Sequence, residues 1–179
     1  MKVAIVPARG KSKRIKNKNI INFRGKPIIH WPLIAAKKSK LFSKIIVSTD
    51  NKKIAKISRK IGAETPFIRP SHISDDKTGI LRVIRHAILN LEKKKIRFKY
   101  VCCIFATAPF INAKILKKSF NKLKNGKYDF VFSAKKIEYN NLRSFYLSKN
   151  QLKMLNEKFY SYTSQDLPKA YVDLGQFYW

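Results

Sequence analysis

Short apolar runs alternate along the chain with segments whose apolar positions recur at helical spacing. Lys2 to Pro7 is a β-branched run ended by proline, and Ile45 to Thr49 is a second. Thr65 to Ile68, closed by Arg69-Pro70, reads as a third, Tyr100 to Phe105 as a fourth and Phe130 to Phe132 as a fifth. Continuous apolar runs suit strands buried on both faces, as in parallel sheets. Between them the spacing predicts helices. Pro27 to Lys38 opens with proline in a first-turn position. Asn51 caps a helix carrying Ile54, Ile57 and Ile61 and stopped by Gly62. Thr78 caps a longer one with Leu81, Ile84, Ile88 and Leu91 on its apolar face, and Asn112 caps another with Ile115, Leu116, Phe120 and Leu123, stopped by Asn125-Gly126. Strand–helix alternation predicts an α/β domain with a mostly parallel sheet, whose ligands sit at the carboxyl ends of the strands. From Lys135 the rhythm changes. Residues 138–160 are rich in Tyr, Asn and Phe and read as a hairpin or an excursion from the sheet, and Gly175 to Trp179 reads as a strand entering the core.

The chain has 179 residues, a length that fits one domain. No apolar run approaches the roughly 20 residues that span a membrane. The amino terminus lacks the pattern of a secretory leader, so a cytoplasmic location is expected. Forty Lys plus Arg against ten Asp plus Glu give a formal charge of +30. That charge invites a nucleic-acid reading. However, 31 of the cations are Lys, and Ile (22) and Asn (12) are also abundant. Those are the residues of A+T-rich codons, and many lysines fall on the polar faces of predicted helices. A solvated basic surface is therefore expected, without a specific nucleic-acid partner. Cys102 and Cys103 are neighbours on a predicted strand and point to opposite faces, which argues against a mutual disulfide. The histidines are scattered, and no metal-ligand spacing occurs.

The candidate chemistry begins where the first strand ends. Pro7-Ala8-Arg9-Gly10-Lys11-Ser12-Lys13-Arg14-Ile15-Lys16-Asn17-Lys18-Asn19 combines small residues, backbone amides and cations. A triphosphate-binding turn needs these groups, although a solvated basic loop would share the same charge. The stretch is neither a Walker A loop nor a dinucleotide fingerprint.

This stretch resembles the P-A-R-G-G-S-K-x-I-P-x-K-N signature of the CMP-sialic acid synthetases, the cytidylyltransferases of nine-carbon sugar acids. The resemblance continues in order through Val47-Ser48-Thr49-Asp50, Pro66 to Pro70, Asp75 to Gly79, Tyr100 to Phe110 and Tyr128 to Ala134. It ends on Ser164-Gln165-Asp166-Leu167 and Asp173 to Trp179. Within the family, Cys102 to Phe110 and the closing segment are most similar to the branch that acts on pseudaminic acid. Phe105-Ala106 stands where the N-acetylneuraminate enzymes usually carry Gln-Pro. The resemblance implies a Rossmann-like nucleotidyltransferase fold. It implies that the anomeric hydroxyl of the sugar acid attacks the α-phosphorus of CTP and that pyrophosphate leaves with Mg²⁺. By motif position, Arg9, Lys13 and Lys18 would act catalytically on the triphosphate. Ala8, Gly10, Ser12 and Asn19 would bind nucleotide with them, and Arg69, Asp76 and Thr78 would lie near the cytidine. Thr107, Ala108 and Pro109 would approach the sugar, joined by Gln165 and Asp173. The family's dimer-forming excursion corresponds to residues 138–160, which implies a homodimer.

Four positions depart from the pattern. Lys11 replaces a second Gly, Lys16 a Pro, Thr163 an Arg and Val172 a His. The family's D-x-D segment, which holds the catalytic Mg²⁺, would lie beyond Trp179. No residue here is therefore assigned to the metal, and residues 1–179 are expected to form a single nucleotidyltransferase domain lacking its carboxyl-terminal part. A sister synthetase for N-acetylneuraminate or legionaminate, and an inactive remnant of the family, are the competing expectations.

Overall fold

Alternation along the first strand sets the architecture. In the computed structural model, which describes residues 1–137 and 141–179, β1 spans Lys2–Pro7. Ala4 and Val6 face one side, and Val3 and Ile5 face the other; all four are fully buried. After a small hairpin, β2 (Asn22–Phe23) and β3 (Lys26–Pro27), the chain continues through α1 (His30–Ser39), β4 (Lys44–Ser48), α2 (Lys52–Ile61) and α3 (Ile80–Lys93). β5 (Tyr100–Ile104), α4 (Ala113–Asn125) and β6 (Phe132–Lys136) follow. β7 (Phe145–Ser148), β8 (Gln151–Met154) and β9 (Tyr171–Tyr178) are the last strands among the described residues. The five-stranded sheet has the order β4-β1-β5-β9-β6. β1 runs parallel to β4 and to β5, and β9 is antiparallel to β5. The α/β class with a mostly parallel sheet is thus observed, with one reversed strand.

Helices cover both faces, and this is why the strand runs are continuously apolar. Ile29 and Leu33 at α1, Ile54 of α2 and Leu116 and Phe120 of α4 pack on the face of Ala4, Val6, Cys102 and Ile104. Ala87 and Leu91 of α3 pack on the face of Val3 and Ile5. Cys102 and Cys103 are free thiols. The closing residues enter the core as expected. Trp179 is buried, stacks on Phe42 at 5.3 Å and donates from Nε1 to Ser119 Oγ at 2.8 Å.

Two expected caps form. Asn51 Oδ1 accepts from the amides of Lys53 (2.8 Å) and Ile54 (3.2 Å), and Asn112 Oδ1 accepts from Ile115 (2.9 Å). Gly62, at φ +97°, ends α2. Other expectations need correction. Pro27 belongs to β3, and α1 starts at His30 with Pro32 in its first turn, where a missing N–H is harmless. Residues 65–68 form no strand; only Glu64 bridges to Ile46, because Pro66 has no amide to continue the ladder. α3 has Gly79, not Thr78, at its N-cap and buries Val83, Ala87 and Leu91, while Leu81 is 77% exposed. β6 begins at Phe132 rather than Phe130, although Val131 already exchanges backbone hydrogen bonds with Trp179.

The chain divides into two compact units, Met1–Phe132 with Gly175–Trp179, and Ser133–Leu174. The second carries the β7–β8 hairpin, whose turn residues Lys149 and Asn150 both have positive φ, as a type I′ turn requires. The excursion expected over residues 138–160 begins at 138–140, which lie outside the described residues.

Candidate active site

The turn after β1 is held from below. Ala8 is fully buried, and its amide donates to the Ser48 carbonyl at 2.9 Å. Gly10 donates its amide to Asp50 Oδ1 at 2.7 Å. A Cβ at Gly10 would sit 2.7 Å from the Asn51 side chain, so the turn approaches the start of α2 as only glycine can. Asn19, buried in a 3-10 turn (Lys18–Ile20), donates from Nδ2 to the Arg9 carbonyl at 2.8 Å. Both ends of the 8–19 segment are therefore anchored, and its middle carries exposed Lys11, Lys13, Arg14 and Lys16. Lys11 has no positive φ, so the backbone at this position accepts a side chain without strain.

A second wall comes from residues 69–80. Arg69 is 4% exposed; its amide donates to Thr49 O (2.8 Å) and its Nε to Ser74 Oγ (3.0 Å). Burial lowers its pKa from the ordinary value; the negative charge of Asp50 opposes that shift and the positive charge of Arg9 adds to it. Asp75 Oδ1 accepts from the amides of Lys77 (3.1 Å) and Thr78 (2.7 Å), and bonds from the Thr78 hydroxyl and amide hold its carboxyl below the ordinary range. Asp76 forms an ion pair with Lys13 at 2.7 Å, and that hydrogen bond lowers its pKa as well. The pair joins the two walls.

Between these walls lies a cavity of about 250 Å³. Arg9, Lys18 and Arg69 line it with positive charge, Asp75 and Asp76 with negative charge, and Asn19, Thr78 and Thr107 with neutral polar groups. Ile73, Ile80, Val83, Phe105 and Ala106 supply apolar surface. α3 has no side-chain cap, so its N-terminal amides, beside Thr78 and Ile80, keep the partial positive charge of a helix start. Cations, amides and an apolar wall at the carboxyl ends of β1 and β5 can hold a phosphorylated nucleoside.

Seven of the residues singled out in the sequence meet at this cavity: Arg9, Lys18, Asn19, Arg69, Asp76, Thr78 and Thr107. Lys13 reaches its rim through Asp76. Ala8, Gly10 and Ser12 shape the turn without lining the cavity, and Ala108 is a core residue, with Pro109 beside it. Phe105 and Ala106 take the lining positions in that turn. Gln165 and Asp173 belong to the second unit, where both are exposed. Ile73, Ile80 and Val83 line the cavity although neither composition nor spacing marks them, and Asp50, from the Val47–Asp50 stretch, supports the turn through Gly10 without lining the cavity.

The cytidylyltransferase family matches residues 3–173. A pseudaminic acid cytidylyltransferase of Campylobacter jejuni subsp. jejuni serotype O:2 is 42% identical over 177 residues, covering 98% of this chain and 76% of that protein. A CMP-N,N'-diacetyllegionaminic acid synthase of the same organism is 42% identical over 103 residues, 57% of this chain and 44% of that protein. Among solved structures, a CMP:2-keto-3-deoxy-manno-octonic acid synthetase complexed with CTP superposes with a TM-score of 0.71 over 99% of this chain and 73% of that one; at 15% identity the likeness concerns the fold. With a parallel-centred α/β sheet, a cationic cavity at its carboxyl edge and a family match across nearly the whole sequence, the chain belongs to the cytidylyltransferases.

Proposed function

We propose that this chain transfers the cytidylyl group of CTP to pseudaminic acid, giving CMP-pseudaminic acid and pyrophosphate. One observation carries the reading: a cationic cavity formed by Arg9, Lys18 and Arg69 in a chain 42% identical to a pseudaminic acid cytidylyltransferase over 98% of its length. The match to the legionaminic acid synthase reaches the same identity over a much shorter stretch, which favours pseudaminic acid as the substrate.

The anomeric hydroxyl forms a bond to the α-phosphorus, and the bond between the α-phosphorus and the bridging oxygen to the β-phosphate breaks. Negative charge gathers on the departing pyrophosphate. Arg9 and Lys18 face that charge from the cavity wall, and Lys13 reaches it by leaving Asp76. Arg69 and Thr78 hold the nucleoside end, and Thr107 borders the acceptor. Fixed positions for both reactants lower the barrier further.

Magnesium is the expected cofactor. Among the described residues no three His, Cys, Asp or Glu side chains come together as metal ligands. Asp75, Asp76 and Asp50 are engaged with the 77–78 amides, Lys13 and Gly10. The described residues thus form no ready-made metal cage, and the positive charge that this chain itself supplies to the phosphates comes from Arg9, Lys13 and Lys18.

We place the enzyme in the cytoplasm; among the described residues no helix is long and apolar enough to cross a membrane. The β7–β8 hairpin supports a homodimer, since its paired Leu147 and Leu152 are 67% and 73% exposed. Incubation with CTP, Mg²⁺ and pseudaminic acid, followed by mass spectrometry, tests the reading. The mass of CMP-pseudaminic acid is expected; its absence with soluble, folded protein would refute the assignment.

A further inference from the structure

The junction between β4 and α2 touches both walls of the cavity. Ser48 accepts the amide of Ala8, Thr49 accepts that of Arg69, and Asp50 accepts that of Gly10 through its side chain. The first two contacts are backbone bonds that any residue could make. The third depends on the Asp50 carboxylate. Gly10 directly follows Arg9, and Asn19 holds the Arg9 carbonyl from the other side. The peptide between residues 9 and 10 is thus fixed at both its oxygen and its nitrogen, which limits where the Arg9 side chain can start. The same carboxylate is the negative group that Arg69 feels, whereas Arg9 acts on Arg69 as a like charge.

We infer that Asp50 is a positioning residue of the nucleotide site, holding the Gly10 amide so that Arg9 faces the cavity opposite Arg69. It touches neither substrate nor reacting atoms in this account. The inference rests on the proposed use of CTP. It explains why the site needs an acid next to two arginines that must themselves receive an anion: the acid is turned toward a backbone amide, and its charge lets the arginines share one cavity without an ion pair that would compete with phosphate. It also accounts for Asp50 beyond a role as a residue flanking α2, because Asn51 alone caps that helix.

The test compares D50A, D50N and N51A with the wild type by calorimetric titration of CTP, by steady-state pyrophosphate release and by thermal melting. A hydrogen bond to a charged group is worth enough to make D50A about 30-fold weaker in CTP binding, while D50N, which keeps an acceptor oxygen for Gly10, should be only about 5-fold weaker. N51A, which strips the cap from α2 but leaves Asp50, should melt earlier yet bind CTP within about 3-fold of wild type. Equal weakening in D50A and N51A would reduce Asp50 to a structural role and overturn the inference. So would D50A with wild-type affinity, or D50N as weak as D50A. If D50A does not fold, the D50N and N51A comparison decides alone: D50N must weaken CTP binding more than N51A while melting closer to wild type. A wild type that binds no CTP would refute the proposed function and this inference together. A wild type that turns over while D50A matches it would refute the inference alone.

Discussion

Asn19 gives the sharpest test of how the phosphate turn is built. By motif position it would bind nucleotide, but its amide is already committed to the Arg9 carbonyl at 2.8 Å, and the residue is 6% exposed. N19A deletes the donor and leaves that carbonyl without its partner in a partly buried place. An unsatisfied buried polar group costs about 1–3 kcal/mol. For a domain of this size each kcal/mol moves the melting temperature by about 2–4 °C, so a loss of about 2 kcal/mol lowers it by roughly 4–8 °C. N19D removes the same donor and sets a carboxylate against the carbonyl oxygen, so it should destabilise at least as much. Because the bond also holds the backbone of Arg9, both variants should weaken CTP binding. Calorimetric melting paired with CTP titration reads both effects. If N19A melts with the wild type and only loses CTP affinity, Asn19 is a ligand contact, and the anchoring argument fails.

D76N should lower the melting temperature only slightly, since Lys13 and Asp76 pair at an exposed rim; it should alter the KM for CTP, because Lys13 is no longer held at the cavity. The Asp76 carboxyl is held below its ordinary range, chiefly by the hydrogen bond from Lys13, so the folded state gains from this group above the unfolded pKa and loses that gain as pH falls through the lower folded value. An NMR titration of the Asp76 side chain should show protonation only at more acidic pH than for the same residue in an unfolded peptide. W179A removes the ring stacked on Phe42 and the Ser119 hydrogen bond, and should destabilise by about 3–5 kcal/mol in denaturant titration. Burial pushes the Cys103 thiol up to about 12 and raises that of Cys102 well above the ordinary value, so neither should react with iodoacetamide at pH 8 until the chain unfolds.

The strands of the sheet were legible because their burial on both faces turns them into continuous apolar runs; Lys2–Pro7 and Tyr100–Ile104 read correctly on that basis. Asn51 and Asn112 were legible as caps because one side-chain oxygen two or three residues before free amides is a local signal. Thr78 misled for the opposite reason. Its amide is drawn to Asp75, which shifts the start of α3 to Gly79 and rotates the buried face from Leu81 to Val83. At the site, the cations after β1 and Arg69 were legible from the motif order. The link from Asp50 to Gly10 was not, since it spans forty residues and depends on β1 and β4 lying side by side. Ala108 and Pro109 miss the cavity because the chain turns directly after β5, where the Ala108 amide donates to the Phe105 carbonyl at 3.1 Å: consecutive Phe105, Ala106 and Thr107 line the cavity while Ala108 enters the core, and strand periodicity does not foresee a turn.

Activation of pseudaminic acid with CTP is the reaction expected of this chain. Continuous measurement of pyrophosphate release addresses it most directly, with pseudaminic acid, N,N'-diacetyllegionaminic acid and N-acetylneuraminic acid supplied in parallel with CTP and Mg²⁺. Release with pseudaminic acid is expected at a kcat/KM well above that with the other two. Release that favours either of the others, or none from folded protein that binds CTP, would contradict it.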